Sequence, residues 1–242
     1  MKKLFVISFI LSLGFASCLD NDNDPVYYFY DEPAIVELSN DQTLIRTAHG
    51  LFFVTKAESS RLQDGDLLWT SFTVDMGNQS NKDTLTAIYL KGDYVDKTKP
   101  TFPANKAEFE FHLNDSYSDA FDQAILYKSY LDSLLFFNFT HKKESNRNRE
   151  YELVLNPETE DRNGFPTLYI RAMEAVDDRH YDKDKDKTIF AFDMAEFVNH
   201  YRTNISKTDP VTFNLKYKVG EDKEGKDVYR EFRSNPIRWN IK

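Results

Sequence analysis

The sequence predicts an all-β fold, and three features of the 242-residue chain lead to that expectation. Hydrophobic and polar side chains alternate with a period of two in several segments, as in strands with one buried face. Aromatic residues are abundant, with 20 Phe and 14 Tyr, and aromatic side chains favour strands. Turn-forming pairs such as Asp64-Gly65 and Asn163-Gly164 separate the segments at close intervals. We therefore expect about a dozen short strands.

The first 17 residues have the pattern of a bacterial signal peptide. A pair of lysines precedes residues 4–15, which are almost entirely apolar, and this stretch is shorter than the roughly 20 residues of a membrane-spanning helix. Two small residues then lead directly into Cys18, the only cysteine of the chain. The arrangement resembles a lipoprotein signal, in which cleavage occurs before the cysteine and its thiol carries a lipid. The alternative is an ordinary secretory signal followed by a free thiol.

Residues 18–33 are expected to form a solvated tether between the lipid on Cys18 and the first domain. Asp20, Asp22 and Asp24 make its beginning strongly acidic. Acid clusters in this place are similar to the export signal that carries lipoproteins of Bacteroidetes to the outer face of the outer membrane. The three aspartates are therefore candidates for an export signal. The expected location is the outer membrane, with exposure at the cell surface if the acids act as that signal. The alternative is that they only keep the tether in water.

Charge and cysteine content exclude several classes of protein. Cleavage before Cys18 leaves 29 of the 31 basic side chains against 40 acidic ones, a net charge near −11. Binding of a phosphate backbone needs clustered lysine and arginine side chains, so nucleic acid is not an expected partner. Acylation of Cys18 leaves no thiol for a disulfide, for thiolate catalysis or for a cysteine-based zinc site.

The strand segments fall into two groups on either side of the polar stretch 93–106. The first group, within residues 34–97, has about five strands, which suits a small OB-like barrel. Its best example is LWTSFTVDM (68–76), in which Leu68, Phe72, Val74 and Met76 share one face. The second group, within residues 98–242, has seven or eight strands and suits a β-sandwich. Its clearest strand is VTFNLKYKV (211–219).

The second group also contains a segment with helical spacing. In FDMAEFVNHYR (192–202), the apolar residues 194, 197, 198 and 201 form a stripe with helical spacing. Asp193, followed three residues later by Glu196, is a capping-box pattern. The sandwich is therefore expected to carry one short helix, at about 194–202. The segment EFEFHLN (108–114) instead alternates with a period of two and is predicted to be a strand.

Several segments together resemble the NigD-like lipoproteins of Bacteroidetes. They are the lipoprotein signal, AIVEL (34–38), RLQDGDLLWTSFTVDMGNQSNKDTLTAIYL (61–90), YELVLNPETEDRNGFPTLYIRA (151–172) and FDMAEFVNHYR (192–202). The resemblance spans nearly the whole mature chain. It implies an N-terminal OB-like domain and a C-terminal β-sandwich. It also implies a link to bacteriocin immunity, a role suggested for the family, and it provides no catalytic residues.

No motif in the sequence identifies a reaction, and no catalytic residue, metal site or cofactor is predicted. The nearest pattern to a metal site is DKDKDKTIFAFD (182–193), in which three aspartates occupy positions 1, 3 and 5 of a calcium-binding loop. Lys187 stands where glycine is needed and Asp193 replaces the bidentate glutamate, so a solvated charged loop is expected instead. The five histidines lack metalloprotease spacing. A glycosidase with two carboxylates from distant strands stays open.

The aromatic segment VYYFYDEP (26–33) has two interpretations. In an extended chain Tyr28 and Tyr30 share a face and form a platform on which sugar rings could stack. The same pattern is typical of a strand that packs against a barrel, and this interpretation is favoured.

These observations predict a lipid-anchored envelope protein that binds a ligand and is not an enzyme. Its expected partners are the membrane, through the lipid on Cys18, and a protein, a peptide or a glycan. In an immunity-like role it would intercept a toxin. The alternatives are an accessory or structural subunit of an outer-membrane complex and, with the least support, a glycan-active enzyme.

Protease treatment of intact cells tests the anchor and the export signal. Because the acids are expected to direct export, wild-type protein should be degraded on intact cells. A variant with Asp20→Ala, Asp22→Ala and Asp24→Ala should be protected and stay membrane-bound. The anchor control, Cys18→Ala, should leave the membrane fraction. Protection of the wild type itself would place the protein on the periplasmic side and contradict the export assignment.

Overall fold

The computed structural model describes residues 25–39, 42–54, 62–79, 85–113, 120–141, 149–160, 164–174, 187–204 and 210–238. Contacts between residues divide the chain into two compact units, Met1–Tyr94 and Val95–Lys242, and each unit is described by itself. Cys18 and the three tether aspartates lie outside the described residues. The lipid anchor, the export signal and the domain limits therefore stay predictions.

The first unit is a closed barrel of five strands. They are β1 (Val26–Ser39), β2 (Gln42–Thr47), β3 (Gly50–Val54), β4 (Leu67–Asp75) and β5 (Leu85–Tyr94), with a 3-10 helix at Met76–Asn78. The order around the barrel is β1-β2-β3-β5-β4. Among these strands β3 and β5 run parallel, and the other neighbours pair antiparallel. The small barrel expected from the sequence is confirmed.

The interior of the barrel is filled by aromatic and branched side chains. Phe72 of β4 is fully buried and packs against Phe29 and Phe52, with ring centroids 4.6 and 5.0 Å apart. Both faces of β4 are buried, so Ser71 and Thr73, on the face opposite to Phe72, are shielded from water as well. Because a buried aromatic ring removes a large apolar area from water, the phenylalanine cluster contributes strongly to the stability of the barrel.

The second unit is a sandwich of two four-stranded sheets. Its strands are β6 (Asp96–Thr98), β7 (Phe121–Leu131), β8 (Leu134–His141), β9 (Arg149–Glu160), β10 (Pro166–Glu174), β11 (Lys187–Asp193), β12 (Asn214–Glu221) and β13 (Asp227–Arg233). The sheet orders are β13-β12-β10-β9 and β6-β11-β8-β7. Side chains from both sheets form one apolar core, in which Phe139 of β8 stacks on Tyr151 of β9 at 4.5 Å between ring centroids. The predicted sandwich is therefore confirmed.

The segment 108–114, predicted to be a strand, belongs mostly to helix α1 (Lys106–Leu113). Asn105 caps this helix, because its Oδ1 accepts the N–H of Glu108 at 3.0 Å. The Glu108 carboxylate in turn accepts the N–H of Ala104 at 2.8 Å. The alternation did not reflect burial, since Phe111 is 79% exposed. The strand prediction and the expectation of a single helix were wrong because this local cap favours helix.

The helix predicted at about 194–202 is confirmed as α2 (Ala195–Asn204). Asp193 caps it, because its Oδ1 accepts the N–H of Ala195 at 3.1 Å. The buried stripe that packs into the sandwich core consists of Met194, Phe197, Val198 and Tyr201. Within the described ranges, no helix is long and apolar enough to cross a membrane.

Phe72→Ala is expected to destabilise the barrel by about 3–5 kcal/mol, because it removes a fully buried ring and leaves a cavity. Urea unfolding, followed by the fluorescence of the buried Trp69 in a Trp239→Phe background, measures the loss. The control is Ile88→Ala, which truncates a half-exposed side chain and should change the free energy of unfolding by about 0.5 kcal/mol or less. Equal losses for the two variants would contradict the central place of Phe72 in the core.

Candidate functional site

The outer face of β1 presents a row of exposed aromatic and apolar side chains. Val26, Tyr28 and Tyr30 alternate with Tyr27 and Phe29, which pack against the barrel core. Tyr28 and Tyr30 are 60% and 63% exposed, and their rings are parallel within 7°, with centroids 6.1 Å apart. The prediction that these two tyrosines share a face is confirmed.

The row continues across the neighbouring strands. Tyr28 lies opposite Thr73 of β4 in the register, and Thr73 lies opposite Ile88 of β5. Thr73 is buried, whereas Ile88 is 50% exposed. We call Val26, Tyr28, Tyr30 and Ile88 the tyrosine face. Tyrosine is among the residue types enriched at protein-binding surfaces.

A β-bulge lies at the end of the tyrosine face. The pairing of β1 with β4 shifts between Phe29 and Glu32, and Asp31 adopts a left-handed φ of 55°, which Asp tolerates better than most residues. The N–H of Asp31 donates to Ser71 Oγ at 3.1 Å, and its carboxylate lies 3.7 Å from Lys91 Nζ. These contacts hold the bulge, which interrupts regular pairing and bends the strand.

Beyond the bulge, a histidine joins the turn between β2 and β3 to β1. His49 Nε2 lies 3.4 Å from Glu32 Oε2, and the imidazole packs against the ring of Phe29 with centroids 5.4 Å apart. The hydrogen bond to Glu32 raises the pKa of His49 above its ordinary value of 6.5; burial opposes the rise, and the negative charge of Glu32 adds to it. The folded barrel therefore holds the proton of His49 more tightly than the unfolded chain does.

The second unit contains a polar cluster beside α1, on the side of the β9–β10 pair that faces away from the core. Glu152 Oε2 accepts a hydrogen bond from Arg171 Nη1 at 2.9 Å, and Glu152 Oε1 accepts one from Thr101 Oγ1 at 2.9 Å. The latter oxygen also lies 3.2 Å from His112 Nδ1. The side chains of Arg171 and Glu152 are only 4% and 14% exposed. The cluster ties α1 and the segment before it to two neighbouring strands.

Tyr229 of β13 lies on the same face of this sheet. Its hydroxyl donates to Asp227 Oδ2 at 3.3 Å, and its ring meets that of Tyr169 edge to face, with centroids 5.6 Å apart. Burial raises the pKa of Tyr229 to about 12, and the negative charge of Asp227 adds to the rise. The hydroxyl is therefore protonated at neutral pH and acts as a hydrogen-bond donor.

The polar cluster and the tyrosine face differ in what they offer to a ligand. Both oxygens of Glu152 already contact donors of the protein, so the cluster acts as a structural connection. In the described part of the chain, no group of three or more His, Cys, Asp or Glu side chains is arranged to hold a metal ion. The tyrosine face is open to solvent, and it is therefore the better candidate for contact with a ligand.

The structure describes only some of the residues that the sequence singled out. Those outside the described residues are Cys18, Asp20, Asp22, Asp24 and the aspartates at 182–186. The segment 26–33 belongs to β1 and pairs with β4, as the favoured interpretation predicted, so the tether expected over residues 18–33 does not extend into it. Its two tyrosines are nevertheless exposed. Sequence reasoning missed the pair of Glu152 and Arg171. The available signal was a charge at an alternating position in each of two predicted strands.

Comparison with known proteins shows similarity of fold. An uncharacterized protein from Parabacteroides merdae ATCC 43184 is 17% identical, with a TM-score of 0.58 over 84% of this chain and 95% of that chain. A "putative lipoprotein" from Bacteroides fragilis NCTC 9343 is 10% identical, with a TM-score of 0.58 over 88% of this chain and 99% of that chain. A NigD-like immunity protein from Bacteroides caccae ATCC 43185 is 13% identical, with a TM-score of 0.49 over 90% of this chain and 100% of that chain.

The solved structures similar to this chain include a NigD-like protein. At identities of 10–17% the similarity is one of fold alone. No protein-family model and no curated protein matches the chain.

The pair of His49 and Glu32 predicts a pH-dependent contribution to the stability of the barrel. Because the pKa of His49 is higher in the folded than in the unfolded chain, the contribution is full below about pH 6.5 and is lost as the pH rises through the folded pKa. Glu32→Gln should therefore lower the free energy of unfolding more at pH 6 than at pH 8, by up to about 1 kcal/mol.

Chemical denaturation of wild type and variant at the two pH values measures this difference. The matched control is the same substitution in a His49→Gln background, where its effect should no longer depend on pH between 6 and 8. A pH dependence that persists without the imidazole would contradict the role of His49.

Proposed function

We propose that this chain is a lipid-anchored protein of the cell envelope that binds a ligand through the tyrosine face. The observation that carries the proposal is the exposure of Tyr28 and Tyr30 on a strand whose alternate residues pack against the barrel core. A group of exposed aromatic side chains on a folded domain favours an interaction surface. Tyrosine is also one of the residues that contribute most to binding energy in protein interfaces.

The lipid anchor would hold this surface close to the membrane. Seven residues separate Cys18 from Val26, and an extended chain of this length spans at most about 30 Å. A lipid on Cys18 would therefore keep β1 where it meets a ligand that is approaching or entering the bilayer. The similarity in fold to a "putative lipoprotein" supports an envelope location, and the acidic tether favours the outer membrane.

The ligand class that the charges favour is a cationic protein or peptide. The mature chain has a net charge near −11, and opposite charges accelerate association, most strongly at low salt. The resemblance to NigD-like lipoproteins, for which a role in bacteriocin immunity has been suggested, supports the same class. In this version, the protein intercepts a cationic toxin at the membrane surface.

Site-specific photo-crosslinking on intact cells tests the tyrosine face as the ligand-contacting surface. Benzoylphenylalanine in place of Tyr28 or Tyr30 should give a discrete crosslinked product, because both side chains would touch the ligand. The matched control is the same replacement at Tyr94, which is equally exposed at 60% but lies outside the tyrosine face. Mass spectrometry identifies the attached molecule. Equal yields at Tyr28 and Tyr94, or no product from either tyrosine of the face at normal expression, would contradict the proposal.

A further inference from the structure

One edge of β1 has no strand partner within the part of the chain that the structure describes. The second half of β1, Ala34–Ser39, pairs with β2, and β4 pairs with the strand from Val26 to Ile35. Because β2 ends at Thr47, opposite Ala34, and the chain then turns into β3, the first half of β1 extends past β2. Along residues 26–32, the side of the backbone away from β4 therefore has no described neighbouring strand.

The pairing with β4 identifies the backbone groups on this open edge. The N–H of Met76 donates to the carbonyl of Pro25 at 3.2 Å, which makes these two residues a hydrogen-bonded pair. Hydrogen-bonded and non-hydrogen-bonded pairs alternate along antiparallel strands. The N–H and C=O groups of Val26 and Tyr28 therefore point away from β4. They present two donors and two acceptors with the spacing of a strand.

The open edge, residues 26–30, is limited at both ends. Pro25 lacks an N–H and precedes it. The bulge at Asp31 interrupts the pairing after it, and His49, held by Glu32, lies beside β1 at this end. The edge therefore has room for an added strand of about five residues. Prolines and bulges also limit association between identical edges in natural sheets.

The side chains along the open edge suit an apolar and cationic partner strand. Val26 and Tyr28 are exposed, and the side chains of an adjacent strand would pack against them. The Asp31 carboxylate is 61% exposed, and the carboxylate of Asp75 is on the residue paired with Val26. The charged groups nearest the edge are Asp31, which lies 3.7 Å from Lys91, and Glu32, which lies 3.4 Å from His49, whereas Asp75 lies on the β4 side of β1. The chain as a whole is acidic, with a formal net charge of −9, and this charge favours a cationic partner.

We infer that the open edge of β1 binds an extended, cationic peptide segment of a partner protein as an added strand. The inference rests on the proposed function, because the added strand would lie against the tyrosine face. Main-chain hydrogen bonds would give affinity with little dependence on sequence, and the tyrosines would select apolar residues at alternate positions. A second copy of this chain would instead bring a second acidic edge, and a glycan would not complete the ladder of main-chain bonds.

Binding of designed peptides to the full mature chain with Cys18→Ser tests the inference. The probes are a six-residue peptide of alternating lysine and valine, its glutamate and valine counterpart, and the lysine peptide N-methylated at every residue. Backbone amide NMR with hydrogen exchange reports affinity and position together. The lysine peptide should bind at least about tenfold more tightly than either control peptide. It should also protect the amides of Val26 and Tyr28 from exchange, because the added strand pairs with them.

A matched pair of variants tests the backbone directly. Val26→Pro removes one N–H of the open edge and should weaken binding of the lysine peptide about fivefold, the effect of one hydrogen bond. Val26→Thr keeps that N–H and should leave the affinity within about twofold. Both variants should unfold at the same temperature, because the N–H of Val26 does not bond to β4. Equal affinity of the two variants for the lysine peptide would overturn the inference that the peptide binds as an added strand.

The remaining outcomes separate this inference from the proposed function. Equal binding of the N-methylated peptide, or no binding of any peptide at millimolar concentration, overturns strand addition. In that case a crosslinked product at Tyr28 or Tyr30 leaves the tyrosine face intact as a binding surface. A glycan in that crosslinked product would also contradict the inference that the ligand is a peptide. Protection of Val26 and Tyr28 without peptide, lost on dilution, identifies a second copy as the occupant and overturns the inference.

Discussion

The architecture of the barrel depends on the pairing of β1, a strand of 14 residues, with different neighbours along its length. Ala34 and Ile35 pair with β2 on one side and with β4 on the other, and this double pairing closes the barrel. Within the described part of the chain, β4 is the only strand that pairs with the residues before them. The exposed tyrosines therefore lie on the same continuous strand that closes the core. A surface fixed in this way loses little conformational freedom when a ligand binds.

A buried ion pair has the corresponding role in the sandwich. Glu152 and Arg171 face each other in the β9–β10 register, and the same carboxylate reaches Thr101 and His112. Removal of one partner would leave a charge in a site that water hardly reaches, which is strongly destabilising. The charges of this cluster are thus explained by the attachment of α1 and the segment before it. The exposure of Tyr28 and Tyr30 on the barrel has no such structural explanation. The candidate ligand surface is therefore assigned to the barrel.

Much of the fold could be predicted from the sequence, because local patterns decided it. The stripe of α2 reflects burial on one face and is confirmed. The alternation in VTFNLKYKV is confirmed only in part, because β12 begins at Asn214 and because the polar side chains of Thr212 and Asn214 are buried as well. The strand prediction for residues 108–114 was wrong, because the alternation of its phenylalanines was not matched by burial. Asn105 and Glu108 instead form hydrogen bonds that start a helix. Asn105 followed three residues later by Glu108 is itself a sequence signal for a helix start.

The candidate site was harder to predict, because it depends on pairing between distant segments. Alternation shows that Tyr28 and Tyr30 share a face, but it does not show which edge of their strand is covered. The open edge results from the end of β2 at Thr47, opposite Ala34, and from the bulge at Asp31. The contact between Glu152 and Arg171 likewise depends on register. Neither register is encoded in any short stretch of sequence.

An open strand edge is a hazard for a protein, because identical edges can pair with one another. A lipid anchor, as proposed, would increase this hazard by concentrating the chain at a membrane. Charge provides a physical answer in this chain. The chain has a formal net charge of −9, and Asp31 and Glu32 lie at one end of the edge. Two copies that approach edge to edge therefore bring like charges together. A cationic strand meets the opposite field. The same negative charge would thus keep copies of the protein apart and attract the proposed cationic partner. The edge can therefore remain unpaired between copies and still bind that partner.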